Sequence, residues 1–349
     1  METALEVLVA LARRRSFRDL AGLTPLAVAG GRLTPEEAGR IQRLCSFAQR
    51  LMDLDAEDFG RLFPAIETTT EVKHALTVGA DAVPHDLVRR AAACRMPQAP
   101  DEPDPGALGS LLPVYRLMLE LIAVRWERGE VLLLLAALHI AAEYAPLLAW
   151  EAALGHPADP RLIGDDVTGE GSRWGHAEDR VCRHPRGFKA AAGRVIRVSG
   201  EDATGWASYL DRQHSTVAAA LAYCAVTCRT KCSVVTRLSD VDQRLLQGRC
   251  GLALAFTGSA IVRMRHRAPV GHGFGVPSRS ELLEAWARTR VSLGRHAHKV
   301  LADDDYPLPG LPALFGAIAG LPPLAPDTLV ADTAGALVAT LHSVGPAYA

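Results

Sequence analysis

His139 and Glu143 stand four residues apart at the end of the most apolar stretch of the sequence, which begins at Val131. On a helix, residues at that spacing share a face. An imidazole in so apolar a setting needs a partner, because an unpaired buried polar group is costly. Two roles follow. Glu143 satisfies His139 as a core pair, or His139 faces a buried ligand with Glu143 beside it. A second group lies far along the chain: Arg263, Met264, Arg265, His266 and Arg267, then Gly271-His272-Gly273-Phe274-Gly275-Val276-Pro277-Ser278. Glycines let a backbone approach a ligand closely, and successive peptide N–H groups hold anions. Arginines grip carboxylates with two prongs. From Ile261 to Lys299 there are eight Lys or Arg against Glu281 and Glu284. That excess suits an exposed basic helix and its loop, an anionic ligand, or a nucleic-acid or phosphate patch.

Other groupings are less specific. Cys224, Cys228 and Cys232 would form one stripe on a continuous helix, drifting by about 40° per step. Such a stripe binds a soft metal or packs as small apolar side chains. The acidic runs Asp165-Asp166 to Glu170 and Asp303-Asp304-Asp305 lie beside Gly or Pro and read as solvated loops. Glu71 and His74 form a lone Glu-x-x-His, whereas helical di-iron sites use that pair twice. Phosphate-loop, nucleophile-elbow and His-Glu-x-x-His zinc signatures are missing from the sequence.

The combination of a His-x-x-x-Glu pair on an apolar helix with a later Arg-x-x-His segment running into a glycine-rich loop resembles the tryptophan 2,3-dioxygenase superfamily of histidine-ligated haem-dependent aromatic oxygenases. The resemblance implies haem as cofactor, with His266 as the iron ligand and His139 on the distal side. It implies Gly273, Gly275 and Ser278 as the closing loop, and Arg263 or Arg265 at the haem propionates. The family's loop is of a Gly-Thr-Gly-Gly-Ser type, and here it reads His-Gly-Phe-Gly-Val-Pro-Ser. His272, His296 and His298 therefore compete with His266 as ligands.

The elements that must position these residues are helical. The chain has 349 residues, 49% hydrophobic and only 5% aromatic, rich in Leu and Ala. The expected fold is mainly α: a multi-helix, bundle-like domain with a Gly/Pro-rich loop region and at most a short β element, Arg194 to Ser199. Thr34, Pro35 and Glu37 announce a capped helix. Phe17 to Leu51 also resembles a helix-turn-helix unit. The Pro- and acid-rich stretch Met96 to Gly109 divides an N-terminal helical subdomain, residues 1–105, from a main domain, residues 106–349. Leu111 to Leu154 reads as two helices, divided near Gly129 or bent at Pro146. Residues 155–205 read as a loop-rich region, helices resume at about Trp206 and run to Val235, and Ser239 caps a short helix ending near Gly248.

The net charge of −1 supplies no global field to recruit nucleic acid or an acidic membrane. No secretory signal is legible at the N-terminus, and the twelve-residue apolar core of the longest hydrophobic run is shorter than the about twenty residues a span needs. The odd count of seven cysteines suits free thiols in a reducing cytoplasm. The function these readings favour is a haem-dependent oxygenase or peroxygenase acting on a small aromatic molecule, without a membrane partner. A non-enzymatic regulatory protein that meets nucleic acid or a partner through its basic segment is the alternative, and a Cys-ligated metal protein is a third.

Overall fold

The structure is a computed structural model that describes residues 4–54, 83–94, 110–158, 162–163, 214–228, 231–269, 271, 273–296, 302 and 304–344. In chain order its helices are α1 (Ala4–Arg13), α2 (Phe17–Ala29), α3 (Pro35–Met52), α4 (His85–Ala93), α5 (Leu112–Arg128), α6 (Val131–Leu154) and α7 (His214–Thr227). They continue with α8 (Ser233–Thr236), α9 (Asp240–Thr257), α10 (Ala260–Arg263), a 3-10 turn (Met264–Arg267), α11 (Arg279–Leu293), α12 (Leu311–Ala319) and α13 (Leu329–Ser343). Among the described residues there is no strand, and the fold is all-α. The segment Arg194–Ser199, the linker Met96–Gly109 and most of the loop region 155–205 lie outside the described residues, as do Glu71, His74, Asp165 to Glu170, His272 and His298.

The chain divides into two compact units, Met1–Met96 with Asp327–Ala349, and Pro97–Pro326. The first joins the two ends of the sequence. α13 packs on α1, α3 and α4, so residues 327–349 belong with the N-terminal helices and not with the main domain as the sequence suggests. Burial of Leu329, Val330, Leu337 and Leu341 holds α13 there. Arg90 adds a fork to Asp327 at 2.5 Å and Asp332 at 2.6 Å. α3 starts as its sequence predicts: Thr34 Oγ1 accepts from the Glu37 N–H, and Glu37 accepts from the Thr34 N–H at 2.7 Å. Its apolar stripe, Ile41, Leu44, Cys45, Ala48 and Leu51, is buried.

The second unit is built around α6. Gly129, in the left-handed region at φ 73°, ends α5 and lets the chain turn back. α6 then runs 24 residues without a break, straight through Pro146. It packs against α5, α7, α9 and α12, which explains why it is apolar on every side. Trp150 is fully buried and donates its indole N–H to the Ala218 carbonyl of α7 at 3.1 Å. Proline lacks an amide N–H, so Pro146 leaves the Ala142 carbonyl without its helical donor. The Thr257 hydroxyl of α9 donates to that carbonyl at 2.8 Å. The Tyr115 hydroxyl of α5 donates to the neighbouring Ala141 carbonyl at 2.7 Å.

Two helical stretches, Val131–Leu154 and Asp240–Arg267, are long and apolar enough to cross a membrane by length and composition. The length argument drawn from the twelve-residue apolar run therefore fails for α6. What makes α6 a core helix of this unit is burial, which covers 61% of its most apolar window.

Three local expectations are corrected. The helix expected to end near Gly248 continues to Thr257, because Cys250, Leu252, Ala253 and Phe256 extend its buried face. The continuous helix that would carry all three of Cys224, Cys228 and Cys232 is not formed: among the described residues α7 ends at Thr227 and α8 begins at Ser233, with Cys232 in extended conformation before it. The three-cysteine stripe on one helix therefore does not exist. Instead the Cys232 N–H donates to the Cys224 sulfur at 3.3 Å, and the Lys231 ammonium caps the Ala225 carbonyl at 2.6 Å.

Candidate functional site

Behind the Pro146 defect α6 meets a cavity of about 620 Å³. That volume falls within the usual range for small-molecule sites. α6 contributes His139, Ala142, Glu143 and Pro146, while α7 contributes Ala219 and Tyr223 among others. α9 supplies Leu254 and Thr257, and Arg263 and His266 close the site from α10 and the 3-10 turn. The walls are mainly apolar, with His139, Glu143, Tyr223, Arg263 and His266 as the charged and titratable groups among them. His139, Glu143, Arg263 and His266, all singled out in the sequence, thus line one cavity although more than a hundred residues separate the two pairs.

His139 is 25% exposed at its side chain. The guanidinium of Arg265 donates to its Nε2. Arginine has only donors, so Nε2 is the unprotonated nitrogen and Nδ1 carries the proton. Nδ1 is buried and has no hydrogen-bond partner among the described residues. Burial, with the nearby positive charges of Arg265 and His266, pushes the His139 pKa below its ordinary value. Glu143 Oε2 lies 3.6 Å from His139 Nε2, too far for a good hydrogen bond. Burial raises the Glu143 pKa, opposed by the charge of Arg265. The pair is therefore a neutral imidazole beside a carboxyl that holds its proton more readily than usual, a setting suited to moving a proton at the cavity wall. The core pair in which Glu143 satisfies His139 is thus not what forms: at 3.6 Å Glu143 stands beside the imidazole, and Arg265 is its hydrogen-bond partner. Arg265, which the resemblance sends to haem propionates, is held at His139.

Among the described residues, none of the glycine-rich segment lines this cavity. Gly273 packs so tightly on the 3-10 turn that a Cβ would lie 2.2 Å from the Arg267 carbonyl oxygen. Gly275 has φ 100° and needs glycine for its backbone. Ser278 is the N-cap of α11: it accepts from the Glu281 N–H at 3.2 Å, and its own N–H donates to Glu281 Oε2 at 2.8 Å. Arg279 then fastens the start of α11 to the end of α5, over the Trp126 ring at 5.1 Å. The loop is thus pinned at both ends, and between them Phe274 is fully exposed, at 102%. Gly275, Phe274 and Val276 line a second, more polar groove of about 1030 Å³, together with Arg267 and Arg288. Arg263 and His266 border both spaces.

His296 is exposed and lies against Gly251 of α9, away from the cavity lining. Asp304 accepts from the Tyr306 and Gly310 N–H groups at 3.1 Å, so its carboxylate is engaged in a turn. Among the described residues no group of three or more His, Cys, Asp or Glu is placed to hold a metal ion. The sequence did not single out Ala219, Tyr223, Leu254 or Thr257, and it marked Pro146 only as a bend. Only Pro146 left a signal, since a proline inside an apolar helix requires an outside donor for the carbonyl four residues earlier. Comparisons with family models, curated proteins and solved structures find no match to this chain.

Proposed function

We propose that the protein is an enzyme that binds a small, mainly apolar molecule in the 620 Å³ cavity and moves a proton there through His139 and Glu143. One observation carries this reading: His139, Glu143 and His266 line the same apolar cavity with a neutral imidazole at its edge. Apolar walls hold the body of the ligand and exclude water. Arg265 fixes the His139 tautomer, so that Nε2 is ready to take a proton once the guanidinium swings away.

The resemblance to haem-dependent oxygenases gives this reading a specific form. An iron porphyrin needs one imidazole ligand, an apolar wall and cations for its carboxylates. His266, the faces of α6 and α7, and Arg263 make up such a donor set around one space. A single axial histidine suffices, so the missing three-ligand cluster does not bear on haem. Bound there, haem would supply oxygen activation. The chain's own residues would ligate it through His266, meet its carboxylates through Arg263, and present His139 and Glu143 for proton transfer.

Two titrations test the two levels separately. Nile red, a neutral apolar dye, should bind the wild-type protein and fluoresce. Ala219→Trp, which fills the cavity from α7, should abolish that signal while the far-UV spectrum is kept. Absence of dye binding to the wild-type protein defeats the cavity reading. Haemin should produce a Soret band that His266→Ala shifts or removes. A band indifferent to both His266→Ala and His139→Ala defeats the haem form alone.

A further inference from the structure

The apolar cavity and the arginine groove share two residues, Arg263 and His266. On one side of them the walls come from α6, α7 and α9 and are mainly apolar. On the other lie Arg267 and Arg288, with the exposed side chains of Phe274 and Val276 at the rim. The groove also contains Glu281 and Glu284. Glu281 is taken up by the Ser278 cap, and Glu284 lies 3.7 Å from Arg288 in an exposed pair. With Arg263, Arg267 and Arg288 against Glu281 and Glu284 the groove has a cationic balance, and it shares Arg263 and His266 with the apolar cavity.

The geometry of the loop makes this juxtaposition a built feature. The roots of the loop approach the 3-10 turn so closely that Gly271 and Gly273 leave no room for a side chain against the Arg265 and Arg267 backbones. Those contacts hold the loop beside the arginines. The capping box at Ser278 and the Arg279–Trp126 stack hold its other end.

We infer that the molecule taken by the cavity is amphipathic: its apolar body lies between α6, α7 and α9, and an anionic head, a carboxylate or a phosphate, passes Arg263 and His266 to rest against Arg267 and Arg288. This rests on the reading of the cavity as a small-molecule site and names the class of its ligand. Guanidinium groups bind both heads through paired charged hydrogen bonds. A neutral ligand of the same size would gain nothing from the groove's guanidinium groups.

Displacement of Nile red by a matched series tests the inference: decanol, decanoate and decyl phosphate. Decanoate and decyl phosphate should displace the dye at concentrations about ten- to a hundredfold below decanol, the worth of a hydrogen-bonded charge. The double variant Arg267→Ala, Arg288→Ala alters exposed residues of the groove only. It should erase most of that advantage and leave decanol unchanged. A larger advantage for decyl phosphate assigns a phosphoryl head, and an equal or larger one for decanoate assigns a free acid. If decanol matches both anions within about twofold and the double variant changes nothing, the inference is overturned and the cavity reading stands. If the dye itself does not bind, the cavity reading falls first. If a single-stranded oligonucleotide binds through the same two arginines and decanoate does not compete, the groove serves nucleic acid and the inference is again overturned.

Discussion

His139 and His266 face one cavity from opposite kinds of structure. His139 sits in the middle of a 24-residue helix whose neighbours are buried on almost every side. His266 sits on a four-residue 3-10 turn with no buried residue of its own, between half-buried Arg265 and exposed Arg267. The helix side is fixed by packing from the helices around it, and its titratable group is tuned by burial. The turn side is fixed by backbone contacts at two glycines and by a helix cap, and it offers charge. A preorganised apolar wall and a cationic rim need different means of construction, and the protein uses both.

The comparison can be broken at its firmest point. Phe256 of α9 is fully buried against Phe315, with ring centroids 5.7 Å apart and planes at 72°. Phe256→Ala should cost about 3–5 kcal/mol in urea unfolding. A cost no greater than that of a turn substitution would remove the distinction between the two sides. Gly273→Ala forces a Cβ against the Arg267 carbonyl and should cost about 1–3 kcal/mol, with faster proteolysis in the 271–278 loop. If the variant unfolds at the wild-type midpoint, the loop is not pinned as described. Ser278→Ala removes the α11 cap and should cost about 1 kcal/mol.

A smaller effect concerns pH. The folded-state pKa of His139 lies below its ordinary value, so the unfolded chain binds a proton more readily. Its contribution is complete above the ordinary histidine pKa and is lost as pH falls toward the depressed one. Glu143 works in the opposite sense, losing its contribution as pH rises through its raised pKa. Urea midpoints at about pH 7 and about pH 5.5 should therefore show a fall that is reduced in His139→Gln. An identical fall in wild type and variant would show that His139 is not tuned by its surroundings. The smallest effect belongs to the rim: Arg267 is exposed, and Arg267→Ala should change stability by no more than about 0.5 kcal/mol. A larger loss would mean the arginine supports the fold, which would weaken its assignment to a ligand.

Local signals in the sequence carried well where one element was involved. The Thr34-Pro35-Glu37 start of α3, the Gly129 break and the Ser239 start of α9 are all present, because caps and left-handed glycines act within a few residues. The end of α9 was misread at Gly248, since a helical glycine costs only about 1 kcal/mol and packing overrides it. The cysteine stripe failed for a related reason: a break between α7 and α8 carries no strong local marker. In the site, His139, Glu143, Arg263 and His266 were legible as residue types in unusual company. Their convergence was not.

What the sequence determined by itself is the helical character of the chain, the ends of several helices and the presence of two chemically distinctive segments. These follow from backbone conformational preferences and side-chain periodicity, which are set over one or a few turns. Tertiary structure alone decided that Arg265 reaches His139 and that Thr257 serves the carbonyl freed by Pro146. Those outcomes depend on which apolar faces bury each other across more than a hundred residues, and contacts at that separation leave no period in the chain.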